Sequence, residues 1–353
     1  MDSENQYRLK YLLKLIREYV SNGDIYDFMQ NNQHHHHINL AVRLSSITNR
    51  ANELIKELNK LDSYQLATHM EVLNIRNVVN PAGRIKMTFA STNPGKNKEF
   101  VEYLEENKLY RLIERIFHFT SLEDMGIFNL LDTPENEYSF IENACTKSIE
   151  NDAFIHSQRE DNDSFRVVIS EDSGLIVPSL NGDPGVVSAR YSRLDKNKAT
   201  LKRIEDAMGS AALKLHVGTL NNIVLLDNLF HKYIKSGQKP PRYVPAFLST
   251  TASASMFQSE ISNHTGVFAG KIWLGLYTDY RYGKIGYSNF LAHLLNHYQT
   301  PLGYNPIFIP NGFEEPLDSL DPATKVNNDH RGKAFDNVFV EILEKIVLSL
   351  YVK

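Results

Sequence analysis

Glu171 and Asp172 stand side by side in Ser170-Glu171-Asp172-Ser173-Gly174, directly after the short apolar run 165–169. Adjacent carboxylates repel each other when kept from water. A hard cation such as Mg2+ would resolve that repulsion, because it takes one or two carboxylates together with waters and phosphate oxygens. One carboxylate could then ligate the ion while the other polarises water. The alternative is a solvated acidic turn capped by Gly174.

Two further segments carry cations. Ser91-Thr92-Asn93-Pro94-Gly95-Lys96 follows an alternating stretch at 85–89 and precedes helical spacing at Phe100, Val101 and Leu104. A glycine-containing loop that opens a helix can aim N–H groups and the helix dipole at an anion. Lys96 could reach the same phosphate. The loop is not G-x-x-x-x-G-K-[ST], and an ordinary turn reads the same way. Asp329-His330-Arg331-Gly332-Lys333 leads into the last helix, with Lys325 just upstream. Histidine, arginine and lysine at a helix start could grip a phosphate or a base carbonyl, or form a plain polar loop.

The elements that must position these residues follow from periodicity. Ile85, Met87 and Phe89 alternate as a strand does. The spacing predicts a helix over 140–157 and a buried strand over 165–169, with 175–180 its continuation or partner. Segments 245–257 and 267–276 also read as extended. A closing amphipathic helix carries Phe335, Val338, Phe339, Ile342, Leu343, Ile346 and Leu350 on one stripe. Strands and helices alternate, so the class is α/β with a mixed sheet. Residues 1–83 read as a separate helical extension. Tyr7, Tyr11, Leu12, Leu15, Ile16 and Tyr19 line one stripe, and a second helix is expected near 38–61. The four histidines at 34–37 read as a solvated loop, with adventitious metal binding or an internal tag scar as alternatives. The turn Asn80-Pro81-Ala82-Gly83 marks the boundary.

Composition excludes several classes. A net charge of −4 with dispersed charges provides no basic field for a nucleic-acid backbone. A single cysteine, Cys145, rules out a disulfide within one chain and a cysteine-based zinc site. A reducing cytoplasmic setting is therefore expected. No secretory signal and no membrane span are expected from the apolar pattern.

Six ordered blocks resemble the inosine triphosphate pyrophosphatase family from about Ile85 to the C-terminus. They are ASTNPGKNKEF at 90–100, SFIENACTKS at 139–148, EDSGLIV at 171–177, GDPGVVSARYS at 182–192, LGYNPIFIPNGF at 302–313 and HRGKAF at 330–335. The resemblance implies an elongated, two-lobed mixed-sheet fold with a nucleotide cleft between the lobes, and a homodimer. It implies Mg2+-dependent cleavage of a nucleoside triphosphate to the monophosphate and pyrophosphate. The implied bases are hypoxanthine and xanthine, as in ITP, dITP and XTP. Carried over residue by residue, Ser91, Thr92, Asn93 and Lys96 match the phosphate loop, and Lys147 matches a second phosphate-contacting lysine. Asp172 matches the catalytic base and Ser173 a substrate contact. Glu135, Glu171 and Asp172 match the metal-binding carboxylates. Gly303, Tyr304, Lys325, His330 and Arg331 match residues around the base.

The chain departs from that pattern at three places. The family's Phe-Gly-Tyr/Trp-Asp stretch reads Leu302-Gly303-Tyr304-Asn305 here. The stacking aromatic is thereby lost, a contact worth roughly 1–3 kcal/mol, and an acceptor-only group becomes an amide. Insertions are expected near 208–241 and 274–300. Residues 1–83 match nothing in the family, which leaves them as a docking module for a protein partner or an oligomerisation appendage. Three functions stay open: the family reaction, the same reaction on other bases, and a non-catalytic nucleotide sensor.

Overall fold

The computed structural model describes residues 85–106, 117–127, 139–157, 166–256, 259–295 and 303–351. The expected N-terminal helices, the four histidines, Glu135 and Leu302 lie outside them. Strand β1 (Ile85–Phe89) leads into helix α1 (Pro94–Glu106), followed by β2 (Phe117–Phe119) and α2 (Phe140–Ser157). Next come β3 (Arg166–Ile176), α3 (Lys198–Met208), α4 (Val217–Lys235), β4 (Val244–Met256) and β5 (Ser259–Ile272). The chain closes with α5 (Leu274–Arg281), α6 (Tyr287–Leu294), β6 (Phe308–Pro310), α7 (Pro322–Asn328) and α8 (His330–Tyr351).

The six strands form one mixed sheet in the order β2-β1-β3-β4-β5-β6. β1 runs parallel to β2 and β3, while β3 to β6 pair antiparallel. β3 lies near the centre and is almost wholly buried, as strands covered on both faces are.

Three boundaries differ from the sequence expectation. The acidic segment is not a turn after the strand. β3 continues through Glu171 and Asp172 to Ile176, its backbone paired with Thr251 and Ala252 of β4. Helix α1 starts at Pro94, several residues before the apolar spacing begins, because proline with its fixed φ suits a first helical position. The extended reading of 267–276 stops at Ile272, and Leu274 opens α5. The predicted helix at 140–157 and the closing helix both form, the latter burying Phe335, Val338, Phe339 and Ile342.

Alternation along β3 separates two faces. Phe89, Phe100 and Phe335 pack together on the face covered by α1 and α8. Phe89 stacks on Phe100 at 4.4 Å, and Phe335 meets Phe100 edge-on at 4.9 Å. Tyr103 of α1 stacks on Phe339 of α8 at 5.9 Å. Each such pair adds about 0.5–1.5 kcal/mol beyond its buried area. On the other face, Val168 packs with Ile155 of α2. A larger core gathers Leu175, Leu226, Val244, Phe268, Tyr277 and Phe290 at the opposite ends of the long strands. The segment near 208–241 supplies α4 to that core, and the segment near 274–300 supplies α5 and α6. Two lobes thus share β3, β4 and β5, and Glu171 and Asp172 fall between Val168 in one core and Leu175 in the other. Among the described residues no helix is long and apolar enough to cross a membrane.

Candidate active site

Consecutive strand residues face opposite ways. Glu171 therefore points toward α1 and α8, and Asp172 toward α2. The adjacent carboxylates are separated by the sheet, and each is met by cations. Both are buried, at 4% exposure each, so neither lies in a solvated turn.

On the first face Arg331, in the opening turn of α8, joins three groups. Its Nε donates to both oxygens of Glu171 at 3.0 Å. Nη1 donates to Oε2 of Glu99 at 2.6 Å, and Nη2 donates to Oγ of Ser173 at 3.0 Å. Lys96 Nζ lies 3.4 Å from Oε1 of Glu171. Burial alone would raise the Glu171 carboxyl, but Arg331 and Lys96 outweigh it and hold the group below the usual carboxylate range. Glu99, one turn along α1 from Lys96, also accepts from Lys325 and from the Asn305 amide, the latter at 3.3 Å. Burial would lower the Lys325 ammonium, yet Glu99 raises it above its ordinary value.

The turn from α7 into α8 fixes this arginine. Asp329 Oδ1 accepts from the Gly332 amide at 2.6 Å. A Cβ at Gly332 would collide with the Val326 carbonyl at the end of α7. Only glycine lets the two helices approach this closely. Burial, reinforced by Glu99, pushes the Asp329 carboxyl up to about 7. His330 is buried, and burial together with Arg331 and Lys325 drops its pKa well below the ordinary imidazole value. It is neutral, and its Nδ1 finds no partner among the described residues. A buried polar atom left in this way is available to a ligand group.

On the second face Asn143 Nδ2 donates to Oδ2 of Asp172 at 2.9 Å, and Lys147 Nζ donates to Oδ1 at 3.2 Å. The two residues sit one turn apart on α2 and so share a helix face. Gly174 then lets the segment 185–193 close over β3, since a Cβ there would stand 2.6 Å from Oγ of Ser188.

The structure places the remaining predicted residues as follows. Asn93 caps α1, its Oδ1 accepting from Gly95 N at 2.9 Å and Lys96 N at 3.3 Å. Ser91 Oγ accepts from Asn93 N at 3.2 Å, and Thr92 is exposed. The N–H groups expected to face an anion are thus satisfied by Asn93 in the free chain. Gly303 adopts a positive φ and its carbonyl accepts from Asn222 of α4 at 3.2 Å. Tyr304 is buried in the larger core, with its hydroxyl donating to the Ser188 carbonyl at 3.1 Å. Among the described residues no group of three His, Cys, Asp or Glu converges to hold a metal ion. Glu171 and Asp172 offer hard oxygen donors on separate faces, so one ion would take one of them directly and owe its other ligands to phosphates and water.

Sequence reading assigned no role to Glu99 or Asn143. Glu99 follows Lys96 by three residues, a helical spacing that places both on one face. That spacing was the available signal.

The site defines a class: a mixed α/β protein whose central strand carries two buried carboxylates, each met by cations from flanking helices. The model of the Ham1 family matches residues 87–228 of this chain. The chain is similar to the dITP/XTP pyrophosphatase of Campylobacter concisus, 28% identical over 264 residues that cover 74% of this chain and 99% of the relative. The dITP/XTP pyrophosphatase of Aliarcobacter butzleri is 27% identical over 263 residues, covering 74% and 100%. Among solved structures, the Ham1 protein of Staphylococcus aureus is 24% identical with a TM-score of 0.43, covering 74% of this chain and 98% of that one.

Proposed function

We propose that this chain is a nucleoside triphosphate pyrophosphohydrolase that releases pyrophosphate and a nucleoside monophosphate. The observation that carries the reading is the pairing of Lys96 with Glu171 and of Lys147 with Asp172 across one strand. Such an arrangement suits a polyanion, because phosphate oxygens can replace the carboxylates on both lysines. The similarity to dITP/XTP pyrophosphatases supports the same reading.

In this reading Asp172 accepts a proton from the attacking water. The water oxygen bonds to the α-phosphorus, the bond from that phosphorus to the bridging oxygen breaks, and pyrophosphate leaves. Lys96, Lys147 and the opening of α1 neutralise the triphosphate. Neutral His330, Arg331 and Lys325 hold the base. Glu171 or Asp172, with Glu135, would hold Mg2+, which would stabilise negative charge on the phosphates. The preferred bases in this reading are hypoxanthine and xanthine, which makes the role nucleotide-pool sanitation. A cytoplasmic homodimer completes the proposal.

Asn305 supports a second reading with the same reaction on a different base set. Its amide donates to Glu99 beside Arg331, where a carboxylate would repel Glu99. Pyrophosphate release with Mg2+ from ITP, XTP, dITP, ATP, GTP, CTP and UTP tests both. Release from ITP, dITP and XTP alone supports the first reading, and release from other bases supports the second. Binding with no release from any nucleotide overturns both in favour of a non-catalytic sensor.

A further inference from the structure

Oγ1 of Thr250 and Nδ1 of His330 are both buried and without a partner among the described residues. Thr250 is fully enclosed and His330 nearly so. The strand register brings them together. Thr250 of β4 stands opposite Ser173 on one side and Gly266 on the other, and residues directly opposite in a sheet share a face. Ser173 Oγ accepts from Nη2 of Arg331 at 3.0 Å. A Cβ at Gly266 would collide with the His330 carbonyl and stand 2.9 Å from the Ala334 amide nitrogen. The His330–Arg331 step of α8 therefore crosses above Thr250. Thr251, on the opposite face, shows the contrast, because its hydroxyl pairs with that of Thr265 at 2.7 Å. Thr250 meets a glycine in the same register, so the partner open to its hydroxyl belongs to the helix above.

We infer that Thr250 is a positioning residue that fixes the tautomer of His330 and so makes the base site select a carbonyl over an amino group, a role that rests on the pyrophosphohydrolase reading. A buried atom open to a ligand is equally open to a donor of the chain itself. The hydroxyl donates, and Nδ1 of the neutral ring accepts when the ring proton sits on Nε2. That bond, direct or through one ordered water, satisfies two groups whose burial makes an unmade bond costly. The opposite tautomer would bring two protons to one contact unless the hydroxyl proton found a second acceptor, and the described residues give Oγ1 none. The bond made at one ring nitrogen decides which nitrogen carries the proton. Nδ1 is thus taken by the protein, and Nε2–H is left to the base. Hypoxanthine and xanthine present a carbonyl where adenine presents an amino group. The donors of His330, Arg331 and Lys325 suit the carbonyl and set the amino group donor against donor. The other tautomer of His330 would offer a lone pair and favour the amino group.

The test compares wild type with Thr250→Val, which keeps the shape and removes the hydroxyl, and with Thr250→Ser, which keeps the hydroxyl. Thermal unfolding verifies that each variant folds. Long-range proton–nitrogen correlation spectra of the full chain report which ring nitrogen of His330 carries the proton, with His330→Asn assigning its signals. Steady-state kinetics give the ratio of kcat/KM for ITP to that for ATP. Wild type and Thr250→Ser should carry the proton on Nε2. Thr250→Val should show both tautomers or the proton on Nδ1, and its ITP-to-ATP ratio should fall by about tenfold, the order of one hydrogen bond. A proton on Nδ1 in wild type, or a His330 spectrum unchanged in Thr250→Val, overturns the role of Thr250 whatever the kinetics. A changed tautomer with an unchanged ratio overturns the selection, as does a wild type that turns over ITP and ATP equally. A wild-type chain inert toward every nucleotide overturns the pyrophosphohydrolase reading and the selection with it, while the spectra still decide whether Thr250 sets the tautomer.

Discussion

Lys147 Nζ lies 3.2 Å from Oδ1 of Asp172, closing an ion pair between helix α2 and the central strand. Lys96 makes the equivalent pair with Glu171 on the other face. In the free chain the lysines that suit phosphate are therefore occupied by carboxylates. An incoming triphosphate must compete with them, and the competition is internal to the protein.

Asp172→Asn should accordingly do two things. Turnover should be abolished, because an amide cannot accept the water proton. Metal-free binding of a non-hydrolysable triphosphate should tighten by about tenfold, since a charged hydrogen bond worth about 1.5–3 kcal/mol no longer competes for Lys147. Calorimetry in the presence of chelator reads the second effect. Weaker binding without metal would show that Asp172 contributes to nucleotide affinity directly and that the pair does not oppose it.

Asp329 and His330 give the stability a pH dependence of mixed sign. Burial raises the Asp329 carboxyl to about 7 in the folded chain, against 3.8 for the ordinary group. Between those values the unfolded chain loses the proton that the folded chain keeps. Stability from this group is full below pH ~4 and is lost as pH rises toward ~7, at up to about 1.4 kcal/mol per pH unit. His330 is held neutral by burial, so its contribution runs the other way: the unfolded chain takes up a proton below pH ~6.5 and stability falls with acid. Asp329→Asn keeps an acceptor for the Gly332 amide and removes only the first effect. Its advantage over wild type in urea unfolding should grow from pH 5 to pH 7 and then level off. An advantage constant with pH would remove Asp329 as the titrating group.

Gly332 is the point where α7 and α8 touch. Gly332→Ala would drive a methyl group into the Val326 carbonyl. The first turn of α8 must shift, and Arg331 moves with it away from Glu99, Glu171 and Ser173. The expected loss of stability is about 1–3 kcal/mol, as for overpacking elsewhere. The lost fit at Arg331 should appear as a raised KM for the preferred nucleotide. Urea unfolding and steady-state kinetics check the two effects separately, and wild-type values in both would show that the helix junction yields without cost.

Long periodic segments were legible in the sequence. The helix Phe140–Ser157 follows the predicted 140–157, because eighteen residues give the pattern room to declare itself. The polar centre of β3 was not legible as strand. Two charges after an apolar run read as solvent, and only partners distant in sequence make them an interior. Arg331 reaches Glu171 across 160 positions, and Asn143 reaches Asp172 across 29. The cap at Asn93 hid in the same way: Pro94 and Gly95 looked like a loop, while the asparagine side chain had already closed the helix start. The residues named for phosphate were found by their order along the chain, and their separation onto two faces follows from strand alternation once the strand is known to continue.

Glu99 shows what such distant pairing conceals and yields the last prediction. On α1 it reads as one more acidic residue of a surface helix, yet it is 8% exposed. It accepts from Lys325 and Arg331, 226 and 232 positions further along, and from Asn305. Glu99→Gln keeps the shape and removes the charge. Lys325 then has no carboxylate in its place, while Arg331 still faces Glu171. The expected cost is about 3 kcal/mol, the low end for stripping one partner from a buried ion pair, because one of the two cations remains compensated. The freed Lys325 and half-freed Arg331 should also lose their fixed orientation, raising KM more than they lower kcat. Denaturation midpoints and steady-state kinetics over the nucleotide panel measure both. A variant as stable as wild type would mean that solvent already shares the compensation of Lys325, and that Glu99 is not the hub its contacts describe.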